Sequence, residues 1–308
     1  GYYNKLATLI GNAKNSEAVN DIIEKSAYAK TEAMLIEHVT LGMLTNPATQ
    51  IVNVAGNGLT LVQETFNRLI GEKLSADGGI AKGETMAMVN GFFQAWKNIK
   101  EVWSNHKDQY GGAWNAIKNI EEMKWGINGN TILDDAGTMN RQLTRENAQS
   151  VLDSASHGLG LSSVTNALGL SSAHAKATHG LSTAVEYYGR TLGIVSKTLL
   201  TTDQFFKTVA YHMELNARLH RKAKQISPDD ASFAENFAKL SKKPLKVDKQ
   251  AAMDFAKRVT FQQDLGAIGK NRNKIRQDAP LTRLAIPFLK TPINILKYGA
   301  AHTPLLSR

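Results

Sequence analysis

Apolar residues recur along this chain at intervals of three and four, whereas the strict alternation typical of strands is nearly absent. Residues 16–44 carry one such stripe, and the Asn46-Pro47 pair after it predicts a helix end followed by a new helix, because proline is tolerated in a first helical turn. Gly56 and Gly58, inside the next stripe, indicate a close helix crossing or a break. That stripe comprises Ile51, Val54, Ala55, Leu59, Val62, Phe66 and Leu69.

The third stripe is aromatic and follows a polar, glycine-rich stretch, residues 72–85, that predicts a loop. Phe92, Trp96, Ile99 and Trp103 are spaced four, three and four residues apart, which places them on one helical face. Trp114 and Trp125 continue the pattern on another helix. Core packing is the simpler interpretation of the tryptophans, and a subunit or membrane interface at Trp96 and Trp103 is the alternative.

Residues 155–195 are rich in small side chains and contain a weak internal echo, HGLGLSS at 157–163, ALGLSS at 167–172 and HGLST at 179–183. The steps of about ten residues are too short for a known solenoid unit. Two interpretations remain open. One is close helix packing through small residues, as in membranes, and the other is a flexible or tightly turned connector.

Strong helical signals return after residue 200. A helix over 200–224 carries a Glu214–Arg218 pair at i,i+4, and its apolar stripe comprises Phe206, Val209, Ala210, Met213 and Ala217. Ser227-Pro-Asp-Asp230 predicts the next helix start, with Ser227 as the cap and proline in the first turn. That helix buries Phe233, Phe237 and Leu240, and Ser241-Lys-Lys-Pro244 ends it. Residues 249–260 predict another helix with Ala252, Phe255 and Val259 inward.

These patterns together predict an all-α fold, an extended multi-helix assembly of helical hairpins and bundles without a substantial sheet. We divide it into an N-terminal helical segment (1–71), a tryptophan-striped segment (72–153), a small-residue connector with a helical hairpin (154–240) and a basic C-terminal segment (241–308). No run of about 18 apolar residues is present in the sequence. The absence of cysteine excludes disulfides and thiolate metal sites. From its ends, we expect the chain to be a segment of a longer polypeptide.

Positive charge is concentrated at one end of the chain. Residues 241–308 hold fourteen Lys or Arg and four Asp or Glu, so they carry the entire net charge of +10. Lys270, Arg272, Lys274 and Arg276 are the candidate contacts to DNA or another polyanion, although a solvated basic loop has the same composition. The apolar, proline-interrupted stretch 281–298 is a candidate membrane or subunit interface, and ordinary core packing is its alternative. Its apolar contacts would be Leu284, Phe288, Ile293 and Leu296.

Residue patterns that would indicate catalysis are not recognisable. The sequence contains no phosphate loop, dinucleotide fingerprint, zincin motif or nucleophile elbow. The histidines do not form an i,i+4 ligand pair, and the acid pairs Glu121-Glu122 and Asp134-Asp135 point apart on a helix. Asp203 predicts a capping or partly buried, paired carboxylate. We therefore expect no cofactor, no metal and no enzymatic activity in this segment.

Three stretches together resemble one family: LTNPATQIVNVAGN at 44–57, LLTTDQFFKTVAYHMEL at 199–215 and PFLKTPINILK at 287–297. In this order they are similar to the large internal virion proteins of tailed phages, also described as ejection proteins or large polyvalent proteins. From the first to the last, the three stretches span residues 44–297, and none of them is a catalytic motif. The resemblance therefore implies a location and a role rather than a reaction.

The resemblance implies a structural component of an internal phage core that leaves the virion with the genome and helps to form a conduit for DNA across the host envelope. Implied partners are copies of the same chain in a ring or tube, other ejection proteins and the portal, double-stranded DNA without sequence preference, and the host inner membrane. Implied locations are the virion interior and then the host cell envelope. Some family members carry a transglycosylase or an RNA polymerase elsewhere in the polypeptide.

Two further functions remain open from the sequence. One is a membrane-active, pore-forming or effector protein, suggested by the small-residue segment and the basic amphipathic end. The other is a non-catalytic segment of a giant virion enzyme. Insertion into anionic liposomes would favour the first of these, and self-association without lipid favours the ejection component.

Overall fold

The computed structural model describes residues 16–74, 79–125, 142–227, 229–263 and 298. Across these ranges the chain forms nine α-helices and one 3-10 turn and contains no β-strand, so the predicted all-α fold is confirmed. The helices are α1 (Ser16–Thr45), α2 (Pro47–Leu74), α3 (Glu84–Gln109), α4 (Ala113–Lys118), α5 (Arg145–Gly158), α6 (Leu161–Ala167), α7 (Ser171–Ile226), α8 (Asp230–Lys242) and α9 (Lys246–Val259), with the 3-10 turn at Ile120–Glu122.

The predicted boundary between the first two helices is confirmed. α1 ends at Thr45 and α2 begins at Pro47, where the Gln50 amide donates to the carbonyl of Asn46 at 3.2 Å. A break at Gly56 or Gly58 does not occur, because α2 is continuous through both positions. The helix also extends to Leu74, beyond the start of the predicted 72–85 loop.

The chain divides into two compact units whose segments alternate along the sequence. The first unit includes α1, α5, α6 and α7 up to Ser196. The second includes α2, α3, α4, α7 from Lys197 onward, α8 and α9. The four consecutive segments expected from the sequence stay a prediction.

In the first unit, α1 is held to the start of α5 by polar contacts. The Glu37 carboxylate accepts hydrogen bonds from the backbone amides of Gln142 and Leu143, the latter at 2.6 Å. Lys30 Nζ donates to Ser150 Oγ at 2.7 Å. Thr144 caps α5 by accepting from the Asn147 amide at 3.2 Å, which satisfies one of the free donors of a helix start.

The small-residue segment in this unit consists of helices joined by two short turns, so the tight turns of the connector interpretation are present. Outside residues 159–160 and 168–170, residues 155–195 belong to α5, α6 and the first part of α7. The echo marks two short turns and a helix interior: Gly160 and Gly169 have φ of 68° and 69°, in the left-handed region where glycine is favoured. His179 and Gly180, in the third copy, lie inside α7.

The second unit has the larger apolar core, formed where α2, α3, α7 and α9 pack together. The predicted α7 stripe is confirmed, since Val209, Ala210 and Ala217 are fully buried and Met213 is 5% exposed. The inward face predicted for α9 is confirmed as well, at Ala252, Phe255 and Val259. Phe237 and Leu240 of α8 pack against this core and remain partly exposed.

The geometry of α8 corrects the predicted helix cap, and the geometry of α7 decides between the two roles predicted for Asp203. The cap of α8 is Asp229 rather than Ser227, and its carboxylate accepts from the Ser232 amide at 2.7 Å. Ser227 instead donates its hydroxyl to the carbonyl of Ala223 at 2.6 Å. Asp203 lies in the interior of α7 and is partly buried, which agrees with the second of the two roles predicted for it and excludes the cap.

α3 crosses α7 at a position where no side chain fits. A Cβ atom on Gly91 would lie 2.5 Å from the carbonyl oxygen of His212 and 2.8 Å from Met213 Cα. Both of those atoms belong to the backbone of α7, so the contact cannot be relieved by a rotamer change. The close crossing is therefore at Gly91, a position that the sequence pattern does not single out.

We expect Gly91→Ala to destabilise the second unit, whereas Gly56→Ala should stabilise it. The first variant forces two packed helices apart, at a cost of about 1–3 kcal/mol or more. The second adds a methyl group where nothing lies within 4 Å, in a helix interior where alanine is favoured by about 1 kcal/mol. Equilibrium denaturation by urea checks both. Equal stability of the two variants would contradict the crossing.

Candidate functional site

A buried network of ion pairs connects α2, α3 and α7 in the second unit. Glu84, the first residue of α3, has no exposed surface. Its carboxylate accepts from Arg68 Nη1 of α2 at 2.7 Å, from Arg221 Nε and Nη2 of α7 at 2.7 and 2.5 Å, and from the Ala81 amide at 3.1 Å. Every oxygen of this carboxylate is therefore paired, which compensates for the loss of water.

Arg68 extends the network to a second buried carboxylate. Its Nη2 lies 2.5 Å from Glu214 Oε2, and Arg218 Nε lies 2.8 Å from Glu214 Oε1. The predicted Glu214–Arg218 pair is thus confirmed. Glu84, Arg68 and Arg221 were missed as partners because these contacts join residues 16 to 146 positions apart. The available signal was the spacing of Glu214, Arg218 and Arg221, which places all three on one side of a helix.

Glu72 and His220 lie beside this network. Burial works against ionisation of Glu72, but the neighbouring Thr85 side chain and the hydrogen bonds from the Gly83 and Thr85 amides lower its pKa below the ordinary value. The amide contacts measure 2.6 and 3.0 Å. Burial lowers the pKa of His220, whose ring packs edge-on against Phe233. Attraction to Glu84 and Glu72 opposes this effect, and repulsion from Lys224 adds to it.

This arrangement stabilises a helix junction rather than presenting a reactive group. The pKa of Arg221 is raised by its hydrogen bonds to Glu84, so the pair stays charged. The Glu84 and Glu214 carboxylates both form ion pairs with Arg68. Glu72 accepts a hydrogen bond from the Gly83 amide in the turn before α3. The network fixes the rotation of α2 about its own axis relative to α3 and α7.

The consequence of this rotation is that the apolar stripe of α2 faces outward. Asn57, Thr60 and Leu61 form its buried side, with 3%, 6% and 7% exposure. Leu59 and Val62, by contrast, are 69% and 66% exposed. The exposed apolar side chains of α2 are Ile51, Val52, Val54, Leu59, Val62, Phe66, Leu69, Ile70 and Leu74.

An apolar groove of about 750 Å³ runs along this exposed side. Val62, Phe66 and Leu69 form its α2 wall, and Met86 and Phe92 contribute from α3. Phe206 and Met213 of α7 also line it. A surface with this many adjacent apolar groups is typical of an interface, since monomeric proteins rarely leave a patch of this kind in water. We refer to this surface as the α2–α3 groove.

The two tryptophans proposed as interface residues differ in exposure. Trp96 is 54% exposed, with its ring edge-on to Phe205 at 5.9 Å. Trp103 is partly buried and packs against a small core of Met123 and Trp125. Core packing therefore describes Trp103 and Trp125, whereas Trp96 and Trp114, at 62%, lie at the surface.

The remaining predicted site residues lie outside the described residues. These are the polyanion candidates Lys270, Arg272, Lys274 and Arg276 and the interface candidates Leu284, Phe288, Ile293 and Leu296. Within the described ranges, no three His, Asp or Glu side chains cluster in a way that could hold a metal ion. None of the helices described for this chain combines the length and apolar character needed to cross a bilayer.

Comparison with known proteins gives no match for this chain among protein-family models, curated proteins or solved structures.

We expect Glu84→Gln to destabilise the second unit strongly. Removing one partner from a buried ion pair leaves the other charge uncompensated, at a cost of about 3–5 kcal/mol. Here two arginines, Arg68 and Arg221, would lose their shared carboxylate. Thermal and urea denaturation measure the loss.

Glu235→Gln is the matched control for the buried substitution. Glu235 also pairs with a cation, Lys239 at 2.6 Å, but both side chains are more than 60% exposed. We expect little change in its stability, because exposed pairs contribute little. Similar losses of stability in Glu84→Gln and Glu235→Gln would contradict the claim that burial makes the Glu84 ion pairs important for stability.

We expect acid to destabilise the protein through two partly buried histidines, His212 and His220. Burial lowers the pKa of His212 and of His220, so the folded state binds protons less readily than the unfolded chain. Their contribution to stability is present above the unfolded pKa of about 6.5 and is lost as the pH falls through the folded values. The melting temperature should therefore fall below pH 6.5. His212→Gln should flatten this decline, and a pH profile identical to that of the wild type would refute the assignment.

Proposed function

We propose that this chain is a non-catalytic structural component that assembles with copies of itself through the α2–α3 groove. The observation that carries the proposal is the outward orientation of the α2 stripe. Six of its predicted positions, from Ile51 to Leu69, are 37–69% exposed, although this spacing is typical of a helix face that packs against a core.

The size of the exposed surface suits a stable protein partner. From Ile51 to Leu74 the stripe follows α2 for roughly 35 Å, given a rise of 1.5 Å per residue. Met86, Phe92, Phe93 and Trp96 extend it across α3, all at 36% exposure or more. Stable interfaces bury about 800 Å² on each partner, which is the scale of a two-helix face. Fully burying one large apolar side chain contributes about 1.5–3 kcal/mol, so several together can exceed the entropy cost of association.

A second copy of the chain is the occupant that we propose. Side chains of α2 and α3 line the groove, together with Phe206 and Met213 of α7, and a groove between helices can accept the ridge of another helix. In a symmetric dimer each subunit contributes the same surface to the interface, so the exposed α2 stripe of one copy packs against that of the other. A head-to-tail arrangement of the same surface would build a ring or tube instead.

The resemblance to the internal virion proteins of tailed phages gives this assembly its proposed setting. In that setting the chain is part of the internal core, leaves the virion with the genome, and helps to form the conduit for DNA across the host envelope. Its further partners would be other ejection proteins, the portal and double-stranded DNA. It would act first in the virion interior and then in the host cell envelope.

We expect Phe66→Asp to abolish self-association without lowering the melting temperature. Phe66 is 58% exposed, so a charge there should disturb an interface but not the core of the free chain. Sedimentation equilibrium across a range of concentrations gives the mass, and circular dichroism gives the melting curve.

Leu181→Asp is the matched control, because Leu181 is 57% exposed and also lies within a helix. It should retain the wild-type mass at each concentration. A wild-type chain that stays monomeric at tens of micromolar would contradict self-association. A collapse of the melting temperature in Phe66→Asp would contradict the assignment of the groove to an interface.

A further inference from the structure

The connection between α8 and α9 concentrates positive charge on the surface. Lys242, Lys243, Lys246 and Lys249 fall within eight residues, and all four side chains are exposed. None of them forms an ion pair with any residue in the ranges that the structure describes. We call these lysines, together with Leu245 and Val247, the basic corner.

No acid among the residues that the structure describes forms an ion pair with the basic corner. Asp248, the only acid between residues 242 and 249, is 2% exposed and forms an ion pair with Lys222 of α7 at 2.7 Å. Glu235 of α8 pairs with Lys239. Because Asp248 is buried against Lys222, the four exposed lysines have no ion-pair partner among the described residues.

Apolar side chains are exposed among these charges. Leu245 is 52% exposed and Val247 is 64% exposed. α9 turns Ala252, Phe255 and Val259 toward the core, and at 100° per residue Lys246 and Val247 lie on the side of the helix away from them. Basic and apolar groups thus share one small surface.

The geometry points to an anionic lipid surface as the ligand of the basic corner. Lysines gain electrostatic energy near acidic headgroups, and apolar side chains beside them enter the boundary between headgroups and acyl chains. A nucleic acid would use the lysines but would gain nothing from Leu245 and Val247. Residues 242–249 also contain no arginine and no aromatic residue for bidentate or stacking contacts with nucleotides.

This inference goes beyond self-association, and its residues do not overlap with the α2–α3 groove. It concerns peripheral contact with a membrane surface. Vesicle binding at a protein concentration where Phe66→Asp is monomeric separates the two proposals. Binding retained by that variant shows that the basic corner acts without the groove.

The test measures co-sedimentation of the full chain with vesicles of phosphatidylglycerol and phosphatidylcholine, and with vesicles of phosphatidylcholine alone. One variant replaces all four lysines of the corner with glutamine. Each lysine near an anionic surface is worth about fivefold in affinity, so affinity for the anionic vesicles should fall by roughly a hundredfold or more. The control variant carries the same charge change at exposed lysines elsewhere, Lys73, Lys97, Lys100 and Lys176, and should lose far less.

A second pair of substitutions separates lipid from nucleic acid. Leu245→Ser with Val247→Ser should weaken binding to anionic vesicles by roughly tenfold, because two apolar side chains no longer enter the boundary layer, and should leave binding to duplex DNA unchanged. Equal vesicle affinities of the corner and control lysine variants would overturn the proposal. So would unchanged vesicle binding of the serine variant together with a loss of DNA binding in the corner lysine variant, which would identify a nucleic-acid surface.

Discussion

The buried carboxylate of Glu84 is the contact on which the second unit depends. It joins α2 through Arg68 and α7 through Arg221 at the point where α3 begins. Such a pair contributes little net stability compared with apolar packing, because both charges lose their water, but breaking it is costly. We infer that its value is specificity, because the observed rotation of α2 brings Arg68 to both Glu84 and Glu214.

That rotation determines which face of α2 reaches solvent. With Arg68 in its ion pairs, Asn57, Thr60 and Leu61 are buried, and the apolar stripe of α2 is exposed to solvent. A helix placed by hydrophobic burial alone would have turned the stripe inward. The fold thus keeps a large apolar surface available, and an assembly is the most direct way for such a surface to leave water. The basic corner, at the far end of α8, adds charge to a different part of the same unit.

Sequence periodicity was sufficient for the helices and for the buried side of α7 and α9, because local spacing determines which residues share a helix face. Periodicity could not show that the α2 stripe faces solvent while the α7 stripe faces the core, because both stripes have the same helical spacing. The deciding contacts, Arg68 with Glu84 and Glu84 with Arg221, join distant residues. The place of Gly91 against the α7 backbone depends in the same way on tertiary geometry. Serine and aspartate cap helices about equally well. The sequence therefore could not distinguish Ser227 from Asp229, which is the cap of α8 in the structure.

The most direct measurement of the central claim is the reactivity of a single thiol within the α2 stripe. The chain contains no cysteine, so Val62→Cys introduces a unique site at a position that is 66% exposed. In dilute protein the thiol should react with a maleimide as fast as a thiol on an exposed loop, and the rate should fall as the concentration rises and the interface forms. A thiol that reacts slowly in dilute monomer, or at one fast rate at every concentration, would contradict the account.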